Sequence, residues 1–239
     1  MDTEAAYKFV RDAYYESARA ARRVGTYPAA QALAKKYGGV LADALGEAFD
    51  LYCPDGAITL EEALALIPRS LHMNYDRIAS IIAGVQEDIN AELGIGLNPI
   101  APAFDSIRAE NMANQIADAG TGIIDQLKKE VENFSMSTVD DGQRLNAEFL
   151  DGAGFETLVT REYDGVGVNH RKDVCEWCLE RCGTDVPVAD AIAMGMFERH
   201  TGCGCTITYK THKKTTVQGR DMIWREAPGD LERRKTIGL

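Results

Sequence analysis

The chain has no run of eighteen apolar residues, so it offers no candidate membrane-spanning helix. No glycine-rich phosphate loop follows a strand-like segment, and no Gly-x-Ser-x-Gly elbow is present, which removes two common enzyme signatures. Internal repeats and low-complexity segments are absent, so no solenoid or array is expected. Histidine is scarce, with four in 239 residues. His72, His170 and His212 each stand alone, a setting more often structural than catalytic. Nothing at the N-terminus resembles a signal peptide, so a reducing compartment and free thiols are expected. Positive charge is also short. There are 26 Lys/Arg against 37 Asp/Glu, a formal net charge of -11, which argues against a surface that binds nucleic acid all over.

What is present suits a globular protein. A chain of this length allows one large domain or two modest ones, and 45% hydrophobic residues can build a core. The charge is unevenly placed. Residues 1–150 carry 13 Lys/Arg against 23 Asp/Glu, whereas positions 206–239 carry 8 against 4. Lys210, Lys213, Lys214, Arg220 and Arg225 give the chain a basic end on an acidic body. Such an end can meet phosphate or an acidic protein face, although a short basic run is often only solvated.

Helical periodicity dominates the first part. Ala6, Phe9, Val10, Ala13, Tyr14, Ser17 and Ala21 share one face of a helix over 3–24. Pro28 suits the first turn of a second helix reaching Tyr52, with Gly38-Gly39 as a break that can split it. The stretch CPDGAITLEEAL partly resembles a calcium loop. A turn followed by a capping box, Thr59 with Glu62, explains the same letters better. Pro68 is expected to end a short helix, and a longer one follows from about Arg69 to Leu93. A helix capped by Asp105 or Ser106 ends near Gly120. Two more are expected, over about 123–134 and from 138–140 to Leu150. Asp140-Asp141 then falls in a first helical turn, where acidic residues satisfy free N–H groups. After Gly154 the texture changes. LVTREY and CTITYK read as strands, with a helix over Val188–Met196 between them, and TTVQG can return as a hairpin across Thr211–Lys214.

Five of the six cysteines crowd into Cys175–Cys205. Cys175 and Cys178 form a CxxC pair, and His200, Cys203 and Cys205 form a second cluster. Soft thiolates and one imidazole in two tight clusters suit a tetrahedral zinc that ties distant segments together. Buried thiols packed as small apolar groups are one alternative, and a disulfide is another. With Cys53 far away, no evenly spaced disulfide framework is visible. A redox CxxC would open a helix after a strand, and no such context is apparent. Cys182, four residues past Cys178, keeps the ligand set open. About one zinc per chain is expected, on Cys175, Cys178, His200 and one or both of Cys203 and Cys205.

The order of these features resembles the bacteriophage minor head protein family, also called head-morphogenesis or Mu F-like proteins. The matching parts are a helical body, NFSMSTVDDGQRLNAEFLDGAG, a strand with Arg161, Cys175 and Cys178, Gly183, and then His200, Cys203 and Cys205 leading into a strand. The match covers about residues 133–210. The family often has Pro after the histidine and a basic residue between the last two cysteines, where this chain has Thr201 and Gly204. Neither departure removes a ligand. The resemblance implies a structural virion component, not an enzyme. It would sit in the capsid interior or at the portal vertex after assembly in the bacterial cytoplasm. Its expected partners are the portal protein and the major capsid protein, and DNA packaging or ejection could depend on it. Packaged DNA is a candidate contact of the basic end, and no membrane is expected.

The expected architecture is therefore mainly α with a small C-terminal α+β module. A helical body spans 1–154, a metal-stapled module spans 155–227, and a charged tail spans 228–239. A different class of function is a zinc-dependent nucleic-acid-binding or nuclease module, with His170 beside Asn169 as its candidate histidine. A third reading is a helical interaction protein whose cysteines hold no metal.

Overall fold

The computed structural model describes residues 1–18, 24–120, 124–163 and 175–213. They form a mostly helical body that carries a three-stranded sheet near the C-terminus, as the periodicity predicts. The helices are α1 (Thr3–Ser17), α2 (Tyr27–Tyr52), α3 (Leu60–Glu92), α4 (Ser106–Ala119) and α5 (Ile124–Gly152). After β1 (Phe155–Glu162) come α6 (Glu176–Leu179), β2 (Gly183–Pro187), α7 (Val188–Ala193) and β3 (Thr206–Lys213).

Local chemistry sets most helix starts. Asp2, Thr26, Thr59 and Asp105 each accept a backbone N–H as N-caps, and Thr59 with Glu62 completes the expected capping box. The apolar stripes meet in one large cluster, in which Val10, Tyr14, Leu41, Leu45, Leu66, Ile67 and Leu71 are buried. A second cluster joins Tyr27, Ala30 and Ala34 to Ile78, Ile82, Val85 and Val139.

Three expected breaks are absent. Gly38-Gly39 lies within an unbroken α2, because a bare backbone is needed where α2 meets α5. A Cβ on Gly38 would stand 2.7 Å from Ser135 Oγ and 2.8 Å from Glu132 Cα. Pro68 lies inside α3 and does not end it. An interior proline costs about 3 kcal/mol. Burial of Leu66, Ile67 and Leu71 around it, at about 1.5–3 kcal/mol each, outweighs that cost. The two helices expected between 123 and 150 are one, α5. Ser135 and Thr138 bond back to the carbonyls of Val131 and Phe134, at 2.7 and 3.0 Å, so they do not cap a new helix. Asp140 consequently sits in the middle of α5, and the first-turn reading of Asp140-Asp141 is corrected.

The sheet has the order β2-β1-β3, with both pairings antiparallel. Its buried face packs Val159 and Ile207 against Ala147, Val188, Ala191, Met196 and Phe197. The outer edge of β3 meets the helical body. Gln31 on α2 accepts from Ile207 N–H at 3.4 Å and donates to the Ile207 carbonyl at 3.3 Å, as a neighbouring strand would. Gln143 on α5 donates to the same carbonyl at 3.1 Å. These contacts cover an edge that would otherwise present free backbone groups. The expected hairpin partner TTVQG and the tail from Pro228 lie outside the described residues, as does the end of the first helix beyond Ala18.

Candidate metal centre

The end of β1, the single turn of α6 and the loop before β3 converge on four buried thiols and one imidazole. Cys175 precedes α6, and its N–H donates to Tyr163 Oη at 3.0 Å, which anchors the CxxC turn to the end of β1. Cys178, one turn later, points the same way because residues three apart share a helix face. Cys203 N–H donates to the His200 carbonyl at 3.1 Å and closes the second turn. Gly202 within it has φ of 79°, a left-handed conformation that favours glycine.

His200 Nε2 lies 3.0 Å from Cys178 Sγ and 3.4 Å from Cys175 Sγ. Cys178 Sγ lies 3.7 Å from Cys203 Sγ. Two ligand sets are each closed within 4.8 Å, one of Cys175, Cys178 and His200 and the other of Cys178, Cys203 and Cys205. Cys178 belongs to both. The five expected ligands therefore form one cluster that could bind a metal ion, while Cys182 belongs to neither set. Cys178 Sγ and Cys203 Sγ are too far apart for a disulfide bond of about 2.05 Å, and none of the six cysteines is in a disulfide.

The orientation of His200 follows from its second nitrogen. Nδ1 faces the Thr201 carbonyl at 2.9 Å, and a carbonyl can only accept, so Nδ1 carries the proton. The lone pair of Nε2 is then free to face the thiols, the arrangement usual in metal-bound histidines. Trp177 packs edge-on against the imidazole with ring centroids 5.0 Å apart.

Two arginines supply the surrounding charge. Arg161 on β1 is 1% exposed. Its Nη1 donates to the carbonyls of Met196 and Glu198 at 2.8 and 2.6 Å, and its Nη2 donates to Cys203 Sγ at 3.4 Å. No carboxylate pairs with it among the described residues. A buried guanidinium needs acceptors, and here two carbonyls and a sulfur provide them, the sulfur adding a counter-charge only as a thiolate. Burial alone would lower its pKa, yet the thiols of Cys203 and Cys205 raise it overall. Gly183 lies opposite Arg161 in the β1–β2 register, where a Cβ would strike Val186 Cγ2 at 2.9 Å.

Arg199 is the second. Its side chain and that of Asp140 are fully buried and form an ion pair through Nε and Oδ2. Nη1 donates to the Cys203 carbonyl at 3.2 Å, and Gln31 Nε2 donates to Asp140 Oδ1 at 2.8 Å. Burial raises the Asp140 pKa overall, and Arg199 and then Gln31 pull it back only in part. The guanidinium clamp favours the carboxylate form, and Asp140 in turn raises the pKa of Arg199. Asp140 thus joins α5 and α2 to the ligand loop. Sequence reasoning missed this role, and the only trace was a lone Arg199 beside His200.

Two of the thiols, Cys178 and Cys203, resist ionisation. Burial, followed by the neighbouring Cys203, pushes Cys178 up to about 12. Cys205, which accepts from Cys203, is shifted down. A bound cation is what would make thiolates favourable in this packed site.

His72 and His212 take no part. His72 is exposed on α3 and pairs with Asp76 one turn on at 3.4 Å, and His212 is exposed on β3. His170 and Asn169 lie outside the described residues, as do Lys214, Arg220 and Arg225. Lys210 is already paired with Asp185 at 2.8 Å. No helix among the described residues is long and apolar enough to cross a membrane. No protein-family model, curated protein or solved structure matches the chain.

Proposed function

We propose that this chain is a bacteriophage minor head protein, a portal-proximal structural part of the virion that acts in head morphogenesis. The reading assigns it no catalytic turnover, and DNA packaging or ejection would depend on it through assembly. It is carried by one observation. Arg161 from the strand, Cys175 and Cys178, and His200 with Cys203 and Cys205 occur in the order of that family and converge on one buried cluster. Zinc is the ion that suits the cluster. Bonds of about 2.3 Å to sulfur and 2.1 Å to nitrogen make tetrahedral edges of about 3.8 Å between sulfurs and about 3.6 Å between sulfur and nitrogen. The corresponding distances are 3.7 Å for Cys178–Cys203 and 3.4 Å for Cys175–His200, while Cys178–His200, at 3.0 Å, would open by about 0.6 Å around the ion. A site closed by protein ligands and covered by Trp177 has a structural role, not a hydrolytic one, which would need an open position.

The test is capture of the portal protein encoded beside this gene, followed by counting this chain in assembled particles. Association with the portal and a fixed low copy number per head support the reading. Absence from purified particles overturns it. A metal-dependent nuclease activity that disappears in His170→Ala would favour the alternative module instead.

A further inference from the structure

Between α4, α5 and the loop that carries His200 lies a cleft of about 530 Å³, lined in part by Arg108, Ser137, Asp141, Arg144, Trp177 and Phe197. Arg108 also borders a smaller cavity of about 230 Å³ on its other side. Its Nη1 donates to Ser137 Oγ at 3.0 Å, and with the Asn133 amide assigned so that its nitrogen donates to the His200 carbonyl, Nη2 donates to the Asn133 oxygen at 2.6 Å. Phe134 stacks beneath the guanidinium with its centroid 5.8 Å away. All of these acceptors are neutral. The other charges around the cleft are matched: Arg144 with Asp141 and Glu148, Glu198 with Arg181, and Arg199 with Asp140. Among the described residues Arg108 forms no ion pair.

We propose that this cleft binds a carboxylate monoanion, with Arg108 as its ionic partner and Trp177 and Phe197 as its apolar wall. A guanidinium has five N–H groups in a planar fork, and two are used here, which leaves a face for bidentate recognition. Burial lowers the pKa of Arg108, while Asp105, Asp141 and Glu130 act against it only from beyond pairing distance. An anion in the cleft would supply the missing charge at contact range. Asp141 and Glu198 on the rim disfavour a dianion such as phosphate. The volume lies within the range of small-ligand sites and also fits an acidic side chain presented by a partner protein.

Full-length chain carrying Trp224→Phe leaves Trp177 as the single indole reporter. Its indole N–H and the Arg108 Nε–H are followed by NMR while acetate, or in a second arm an acetylated Phe-Asp amide, is added at constant ionic strength. Both signals should shift saturably with carboxylate and stay unmoved by chloride and phosphate. Arg108→Gln should weaken binding by roughly tenfold or more, the loss of a charge-assisted pair. Saturation by acetate identifies a free small carboxylate, and a response to the peptide alone identifies an acidic side chain. No saturable shift in either arm overturns the proposal, as does equal binding by Arg108→Gln. Should that variant not fold, the signals of the protein with Arg108 intact decide the matter.

Discussion

Arg161 carries a large single-residue consequence. Its guanidinium is enclosed by two carbonyls and the Cys203 thiol, so Arg161→Met leaves Arg199 as the only cation in contact with that sulfur among the described residues. Unfolding in urea should show a loss of about 3 kcal/mol, the scale for leaving two buried carbonyls without their charged donor. Zinc affinity, measured by competition with a chromophoric chelator, should fall with it. Arg161→Lys should recover only part, because one ammonium cannot span both carbonyls and the sulfur. At the opposite end, Glu62 is held at about 2 by the N-terminal ammonium and then by Thr59. A carboxylate whose folded pKa is depressed adds stability above its ordinary pKa near 4.5 and loses it as pH falls toward 2. Glu62→Gln should therefore lower the melting temperature at pH 7 and match the parent protein near pH 2. The Glu62 side chain keeps 21% of its surface exposed, so solvent screens the pairing and the effect should stay within about 1 kcal/mol.

Among the elements, the α2–α5 contact gives the sharpest prediction. Replacing glycine by alanine inside a helix ordinarily gains about 1 kcal/mol. Gly38→Ala should instead lose about 1–3 kcal/mol, because the new Cβ meets the α5 backbone at 2.8 Å. Gly84→Ala, where nothing lies within 4 Å, should be stabilising, and thermal melts of the two variants side by side check the contrast. The same contact shows which parts of the fold the sequence makes legible. Helix type and N-caps depend on neighbours within four residues, so Thr59 with Glu62 and the stripe of Val10 and Tyr14 could be read directly. Gly38 and Asp140 look like a local break and a first-turn acid, yet their partners lie far along the chain. The same holds for β2, whose Gly183, Asp185 and Pro187 read as turn formers, but which pairs on the edge of β1. The CxxC and His-x-x-Cys-x-Cys clusters were legible because each turn assembles its own ligands. The arginines around them were not, since Arg199 and Asp140 are 59 residues apart and Gln31 reaches Ile207 across 176.

For the whole molecule, these long-range bonds make the metal centre part of the same packed structure as the helices. Tyr27 and Tyr209 both donate to Gln86, at 2.8 and 2.6 Å, beside the Gln31–Asp140–Arg199 network. Asp140→Asn should therefore lower stability by about 3–5 kcal/mol and weaken metal retention together, although Asp140 is no ligand. Structural zinc can contribute on the order of 10 kcal/mol, comparable to the stability of a domain. Chelation should then lower the melting of the helical signal as well as that of the Trp177 environment, as one transition. The most direct measurement of the central claim is native mass spectrometry of freshly purified, reduced protein, compared with the same sample denatured in acid. The account predicts one zinc per chain in the native spectrum, lost on denaturation and absent in Cys178→Ser. A native mass equal to that of the bare chain, in protein that is folded and fully reduced, would contradict it.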